Sequence, residues 1–192
     1  MPVIDADELA RLAVAKGSDG LDEVVKAFGP EVLDANGDLD RKKLAAIVFG
    51  DDAKRKVLNG IVHPRVTMLT FKRGAELRDD GHPLACYEAA LIIENVVRAA
   101  FRPLIVVAAP EDVQVARAAA RDKASAEEVR ARIRAQMPLT EKIAVADYVI
   151  ENTGTLADLE WRTDDVLDAI CRKLGLDPAR YPAPRNGKLQ EL

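Results

Sequence analysis

Short β-branched runs alternate along this chain with longer stretches in which apolar residues recur at helical spacing. Val3 to Asp5 reads as a strand, and Ala6 to Lys16 follows as a helix with Leu9, Leu12 and Ala13 on one face before Gly17 stops it. Ser18 is placed to cap a second helix whose face is Leu21, Val24, Val25 and Phe28, ended by Gly29-Pro30. A turn at Asn36-Gly37 precedes helices predicted to begin at Asp40, at Asp51 and at Pro64. Pro83 to Tyr87, Leu104 to Ala108 and Tyr148 to Ile150 read as further buried strands. Pro110 opens a helix with Glu111 and Asp112 where the dipole favours acid, and Asp122 to Ser125 interrupts it before a basic helix. Thr155 to Leu174 is a long amphipathic helix expected to pack on the sheet, with Trp161 as a packing residue.

Strands alternating with helices predict an α/β fold, a mostly parallel sheet covered on both faces. Ligands of such a sheet gather at the carboxyl ends of its strands. Asp5, Asp7, Glu88 and Ala109-Pro110 fall at those ends. The helical stretch at about 18–80 is too long for a simple crossover and marks an insertion. Gly175 to Leu192 holds three prolines and few large apolar residues, and reads as a flexible tail.

Composition narrows the possibilities. The 192 residues suffice for one substantial domain, and no apolar run approaches the roughly 20 residues of a membrane span. A formal charge of -4 argues against a general nucleic-acid binder. Arg117, Arg121, Lys123, Arg130, Arg132 and Arg134 nevertheless concentrate positive charge in one stretch, either a grip for a small phosphorylated ligand or a solvated helix face. Cys86 and Cys171 fit neither a metal spacing nor a disulfide framework, which points to a reduced, cytoplasmic setting with Cys86 as a buried structural thiol.

Phosphoryl transfer requires neutralised phosphate oxygens, a held metal and a carboxylate that orients the attacking hydroxyl. Arg117 and Arg121, four apart on one helical face, can turn their guanidinium groups the same way. Asp5 and Asp7 offer carboxylates, or a helix cap.

Several ordered blocks are similar to dephospho-CoA kinases. They are Val3-Ile4-Asp5-Ala6-Asp7 with Arg11, Phe28-Gly29, Asp40-Arg41, Leu58 with His63-Pro64, Gln114 with Arg117, Arg121 and Asp122, Arg132 with Gln136, and Ala146 to Ile150 with Asn152 and Gly154. The resemblance, from Val3 to about Lys173, implies a three-layer, P-loop-kinase-like α/β fold with a helical acceptor-binding insertion and a lid at about 117–136, in one domain spanning 1–174. It implies ATP-dependent phosphorylation of the ribose 3′-hydroxyl of dephospho-CoA, with Mg2+ and ATP required and neither nucleic acid nor membrane as partner.

Carried onto matching positions, the resemblance makes Asp7 the catalytic carboxylate and Arg117 the stabiliser of transition-state charge. Arg121, Arg132, Gln136 and Asn152 become nucleotide contacts, with a turn-forming role as the other reading of Asn152. Arg11, His63 and Glu88 become acceptor contacts, although Arg11 could instead pair with Asp7 and His63 could be structural. Asp5 would hold the metal through water or simply start the helix.

The sequence also departs from the family. Glu88 stands for the family's aspartate and Ala90 for its proline. The family's first, central strand, its Gly-x-x-x-x-Gly-Lys-Ser/Thr loop and the following helix are expected to have no counterpart; the Gly187-Lys188 pair is followed by Leu189 and has Pro182 where the first glycine belongs. Two further readings therefore stand beside the kinase: a non-catalytic acceptor-binding or scaffolding protein, and a kinase of the same fold with another acceptor.

Overall fold

Two parallel strand pairs organise the computed structural model of the protein, which describes residues 1–94 and 100–181. Each pair belongs to its own compact unit, Met1–Ala89 and Ala90–Leu192. The parallel strands and the alternation with helices are as expected, and among the described residues the strands hydrogen-bond in two parallel pairs.

In the first unit β1 (Val3–Asp5) lies parallel to β2 (Cys86–Glu88), with Ile4 opposite Tyr87 and Asp5 opposite Glu88. Between them run α1 (Ala6–Leu12), α2 (Asp19–Phe28), α3 (Arg41–Val48) and α4 (Asp52–Asp79). The polar residue before each helix caps it as the pattern implied. Ser18 accepts from the Leu21 N–H, Asp40 from Lys42 and Lys43, and Asp51 from Lys54.

Two helix boundaries differ from expectation. The first helix stops at Leu12 rather than Lys16, because the Ser18 hydroxyl donates to the Ala13 carbonyl at 3.3 Å and turns the chain into α2. No new helix begins at Pro64; α4 runs through it. Pro64 lacks the N–H that would reach residue 60, and its ring presses on the same turn. Residue 60 is glycine with open space around it, which gives that turn room to adjust. Packing then holds both halves: Leu58, Ile61 and Val62 join the Val14, Val24, Val32 and Leu44 cluster, and Val66, Leu69 and Leu77 join Ile4 and Leu9.

In the second unit β3 (Ile105–Ala108) lies parallel to β4 (Tyr148–Glu151). Helices α5 (Glu111–Asp122), α6 (Ala126–Arg134) and α7 (Leu139–Val145) connect the strands, and α8 (Leu156–Lys173) follows β4. Ile93, Leu104 and Val106 form the core here, with Met137, Leu139 and Val145 packed against it. The final helix is buried at its far end through Ile170 and Cys171, while Trp161 is 68% exposed, so Trp161 is not the packing residue expected. Leu159 and Arg162 in the same turns are partly buried, so Trp161 lies on the opposite, solvent-facing side of α8. Asp177 caps a short turn at Pro178–Arg180, and the rest of the predicted flexible tail, like residues 95–99, lies outside the described residues.

Gly20 shows how tightly the first unit is closed. A Cβ at this helical position would overlap the Ala13 carbonyl oxygen and meet the Arg65 side chain at 2.9 Å. Alanine normally stabilises a helix interior relative to glycine. Gly20→Ala is expected to do the reverse, lowering stability by about 1–3 kcal/mol through overpacking, as read by urea denaturation.

Candidate active site

Parallel pairing brings the carboxyl ends of two strands to the same side, and the acidic residues of the first unit collect there. Asp5 and Glu88, the last residues of β1 and β2, are in register and exposed. Asp7 follows in the first turn of α1, also exposed. The Asp5 carboxylate accepts from the backbone N–H groups of Asp7 at 2.7 Å and Glu8 at 3.2 Å, so it caps α1. This bond also fixes the backbone that carries Asp7. Arg11 lies exposed in the last turn of α1 and His63 exposed on α4. Cys86, the first residue of β2, is half-buried rather than buried; desolvation, and then the negative charge of Glu88, pushes its thiol up, away from reactive thiolate.

In the second unit the structure joins two residues that are 35 apart in sequence. Arg117, on α5, donates from Nη1 to the backbone carbonyl of Asn152 at 2.9 Å, just past the end of β4. The Asn152 N–H in turn donates to the Ala108 carbonyl at 2.7 Å, at the end of β3. Gln114 ties the same helix to the same place, its Nε2 donating to the Ala109 carbonyl at 2.7 Å. Arg117 and Asn152 are therefore held together at the carboxyl ends of β3 and β4. Gly154 completes this corner, because a Cβ there would meet the Asp158 carboxylate at 2.6 Å, which is occupied in capping α8 with Thr155.

Arg121 and Arg132 take a different partner from Arg117. Both turn to Asp122. Gln136 accepts at 3.1 Å from Lys142, which also pairs with Glu94 at 2.9 Å. Burial pushes the Glu94 carboxyl up, but the hydrogen bond and charge of Lys142, together with backbone N–H groups including that of Met137, outweigh it and the net direction is down. Neither the Lys142 link nor the joint pairing on Asp122 was legible in the chain, since both need helices folded back on one another.

The opposite end of this strand pair is fastened by Asp147. Its carboxylate accepts from the Leu104 N–H at 2.6 Å and from Arg102 at 2.7 Å, while the Leu104 carbonyl accepts from the Asp147 and Tyr148 N–H groups. Its partners lie more than forty residues earlier in the chain, so no local pattern signals the fastening.

A family model described as dephospho-CoA kinase matches residues 1–158. The dephospho-CoA kinase of Anaeromyxobacter dehalogenans (strain 2CP-C) is 44% identical over 166 residues, covering 86% of this chain and 79% of that protein. Among solved structures, TT1252 from Thermus thermophilus is similar at a TM-score of 0.76 with 39% identity, covering 90% of this chain and 84% of the other. A dephospho-CoA kinase from Campylobacter jejuni gives a TM-score of 0.65 with 26% identity over 91% of this chain and 87% of its own.

The Leu104 N–H first, and Arg102 next, hold the Asp147 carboxyl below the usual aspartate range. Its folded value lies under its unfolded one, so its stabilising contribution is complete above about pH 4 and is lost as the pH falls through the folded value. Asp147→Asn should therefore lower stability at pH 7, and the gap to the native protein should close below about pH 4 in denaturant titrations.

Proposed function

The chain belongs to the dephospho-CoA kinase family, and from that premise we propose that it transfers the γ-phosphoryl group of ATP to the ribose 3′-hydroxyl of dephospho-CoA in a reduced, cytoplasmic setting. The observation that carries this reading is the extent of the family match, residues 1–158, which takes in every candidate residue from Asp5 to Asn152. In keeping with that setting, both cysteines are free, and no helix among the described residues is long and apolar enough to cross a membrane.

The first unit supplies the acceptor side. Asp7 accepts the proton of the attacking 3′-hydroxyl, a task that suits an exposed carboxylate held on a capped helix turn. Glu88, one strand away, and Arg11 and His63 contact the acceptor. The second unit supplies the nucleotide side. Arg117 offsets charge developing on the transferred group, its guanidinium steadied on the Asn152 carbonyl at 2.9 Å. Asn152 lies beside the base, and Arg121, Arg132 and Gln136 attend the phosphates.

Mg2+ supplies neutralisation of phosphate charge when bound. No cluster of three or more metal-ligating side chains occurs among the described residues. That fits an ion carried on the triphosphate, which keeps several waters and needs one or two carboxylates. Asp5, one oxygen of which caps α1, would reach it through water.

The test is turnover of dephospho-CoA by the full-length protein with Mg-ATP, read as ADP and CoA formed. Asp7→Asn should lower kcat by about 10²–10⁴-fold with the KM for ATP nearly unchanged. Turnover retained in that variant would remove Asp7 from the role. Binding of dephospho-CoA without ATP binding would favour the scaffolding reading, and turnover of a different hydroxyl alone would favour another acceptor.

A further inference from the structure

We propose that Asp122 is a positioning residue that gathers Arg121 and Arg132 from two helices into one anion-binding pair for the triphosphate. This rests on the nucleotide-side reading of those arginines given above.

The geometry begins with a chain reversal. Asp122 is the last residue of α5, and Lys123 after it takes a left-handed conformation at φ 52°. Ser125 then caps α6, with Glu128 returning the bond to the Ser125 N–H. The two helices pack on each other, and Val115 and Val129 are buried. Folding α6 back in this way brings Arg132 to a residue ten positions earlier in the chain.

The Asp122 carboxylate then meets both cations. One oxygen accepts from Arg121 Nε at 2.8 Å; the other accepts from Arg121 Nη2 at 3.3 Å and Arg132 Nη1 at 3.0 Å. Two guanidinium groups this close would repel without an anion between them. The Asp122 side chain is 28% exposed, against 77% for Arg121 and 60% for Arg132, so the carboxylate is shielded while the cations face solvent. The hydrogen bond from Arg121, with further help from the charge of Arg132, holds Asp122 ionised below the usual carboxylate range. Each guanidinium carries five N–H donors, and each keeps the larger part of them for another anion.

Arg130 on the same helix behaves differently. It pairs with Glu111 at the far end of α5, at 3.8 Å, and so braces the two helices without joining the pair on Asp122.

Arginine side chains lose considerable rotamer freedom when they bind. A carboxylate that has already collected two of them removes part of that cost before the anion arrives. The opposing expectation is equally physical: a negative charge beside an anion site should weaken binding, and removing it should tighten binding. The two expectations differ in sign, and the paired geometry favours positioning.

The experiment measures binding of ATP and of inorganic tripolyphosphate to the full-length protein by calorimetry, with steady-state kinetics alongside. Asp122→Asn should raise the Kd for both by about 5- to 20-fold and raise the KM for ATP to match, with kcat within about twofold and an unchanged melting temperature. Asp122→Glu, which keeps the charge, should recover part of the loss. In an Arg132→Ala background, Asp122→Asn should cost much less than in the native protein. Equal or tighter binding by Asp122→Asn would overturn the proposal while leaving the nucleotide-side reading intact. Native ATP affinity in both Arg121→Ala and Arg132→Ala would overturn that reading, and the positioning role with it.

Discussion

Two strands paired in parallel cannot be joined by a tight turn; the chain must travel back along their length before the second strand begins. Most of what this protein contains follows from that constraint. In the first unit the return path holds α1 to α4, and in the second it holds α5 to α7. Each return path buries its apolar faces on itself or on its strands, giving the Val24 and Val32 cluster of the first unit and the Leu104 and Val106 cluster of the second. Because paired strands run the same way, the last residues of both fall at one end. Asp5 beside Glu88, and Ala108 beside Glu151, are products of that register.

The polar bonds at these ends position groups more than they stabilise the fold. Exposed ion pairs contribute little to stability, with a median of about 0–1 kcal/mol, and the pairs on Asp122 are of this kind. Their value lies in geometry. Asp5 fixes the turn that carries Asp7, the Asn152 carbonyl receives Arg117, and Asp122 collects two arginines. A carboxylate or carbonyl that takes one or two donors from an arginine leaves the rest directed outward, which suits a protein that must handle phosphate.

The candidate residues divide by the range of the interactions that define them. Asp5 and Glu88 were legible at their strand ends because a strand end is a local event, marked by an apolar run that stops at an acid. Arg117 was legible by its place on a helix, yet its partner, a backbone carbonyl 35 residues away, carries no signal in side-chain pattern. Asp122 was legible only as a member of a motif block and the start of a helix break, and its meeting with Arg132 depends on a left-handed residue at Lys123 that lets α6 fold back. Pro64 and Trp161 misled for related reasons. A proline normally ends a helix and a tryptophan normally packs, but packing on both sides of Pro64 and the position of Trp161 on α8 reversed those tendencies.

By itself the sequence determined the elements whose causes are local. These are the β-branched strands, the helix starts at Ser18, Asp40 and Asp51, the helical insertion, and an ordered set of motifs dense enough to indicate the family. Caps and periodicities act within a turn or two, so neighbouring residues suffice to specify them. Tertiary structure alone decided that α4 runs unbroken through Pro64, that Asp147 locks the start of β3 to the start of β4, and which donors meet which acceptors at the strand ends. Those outcomes join residues tens of positions apart, whose approach depends on the packing of every element between them.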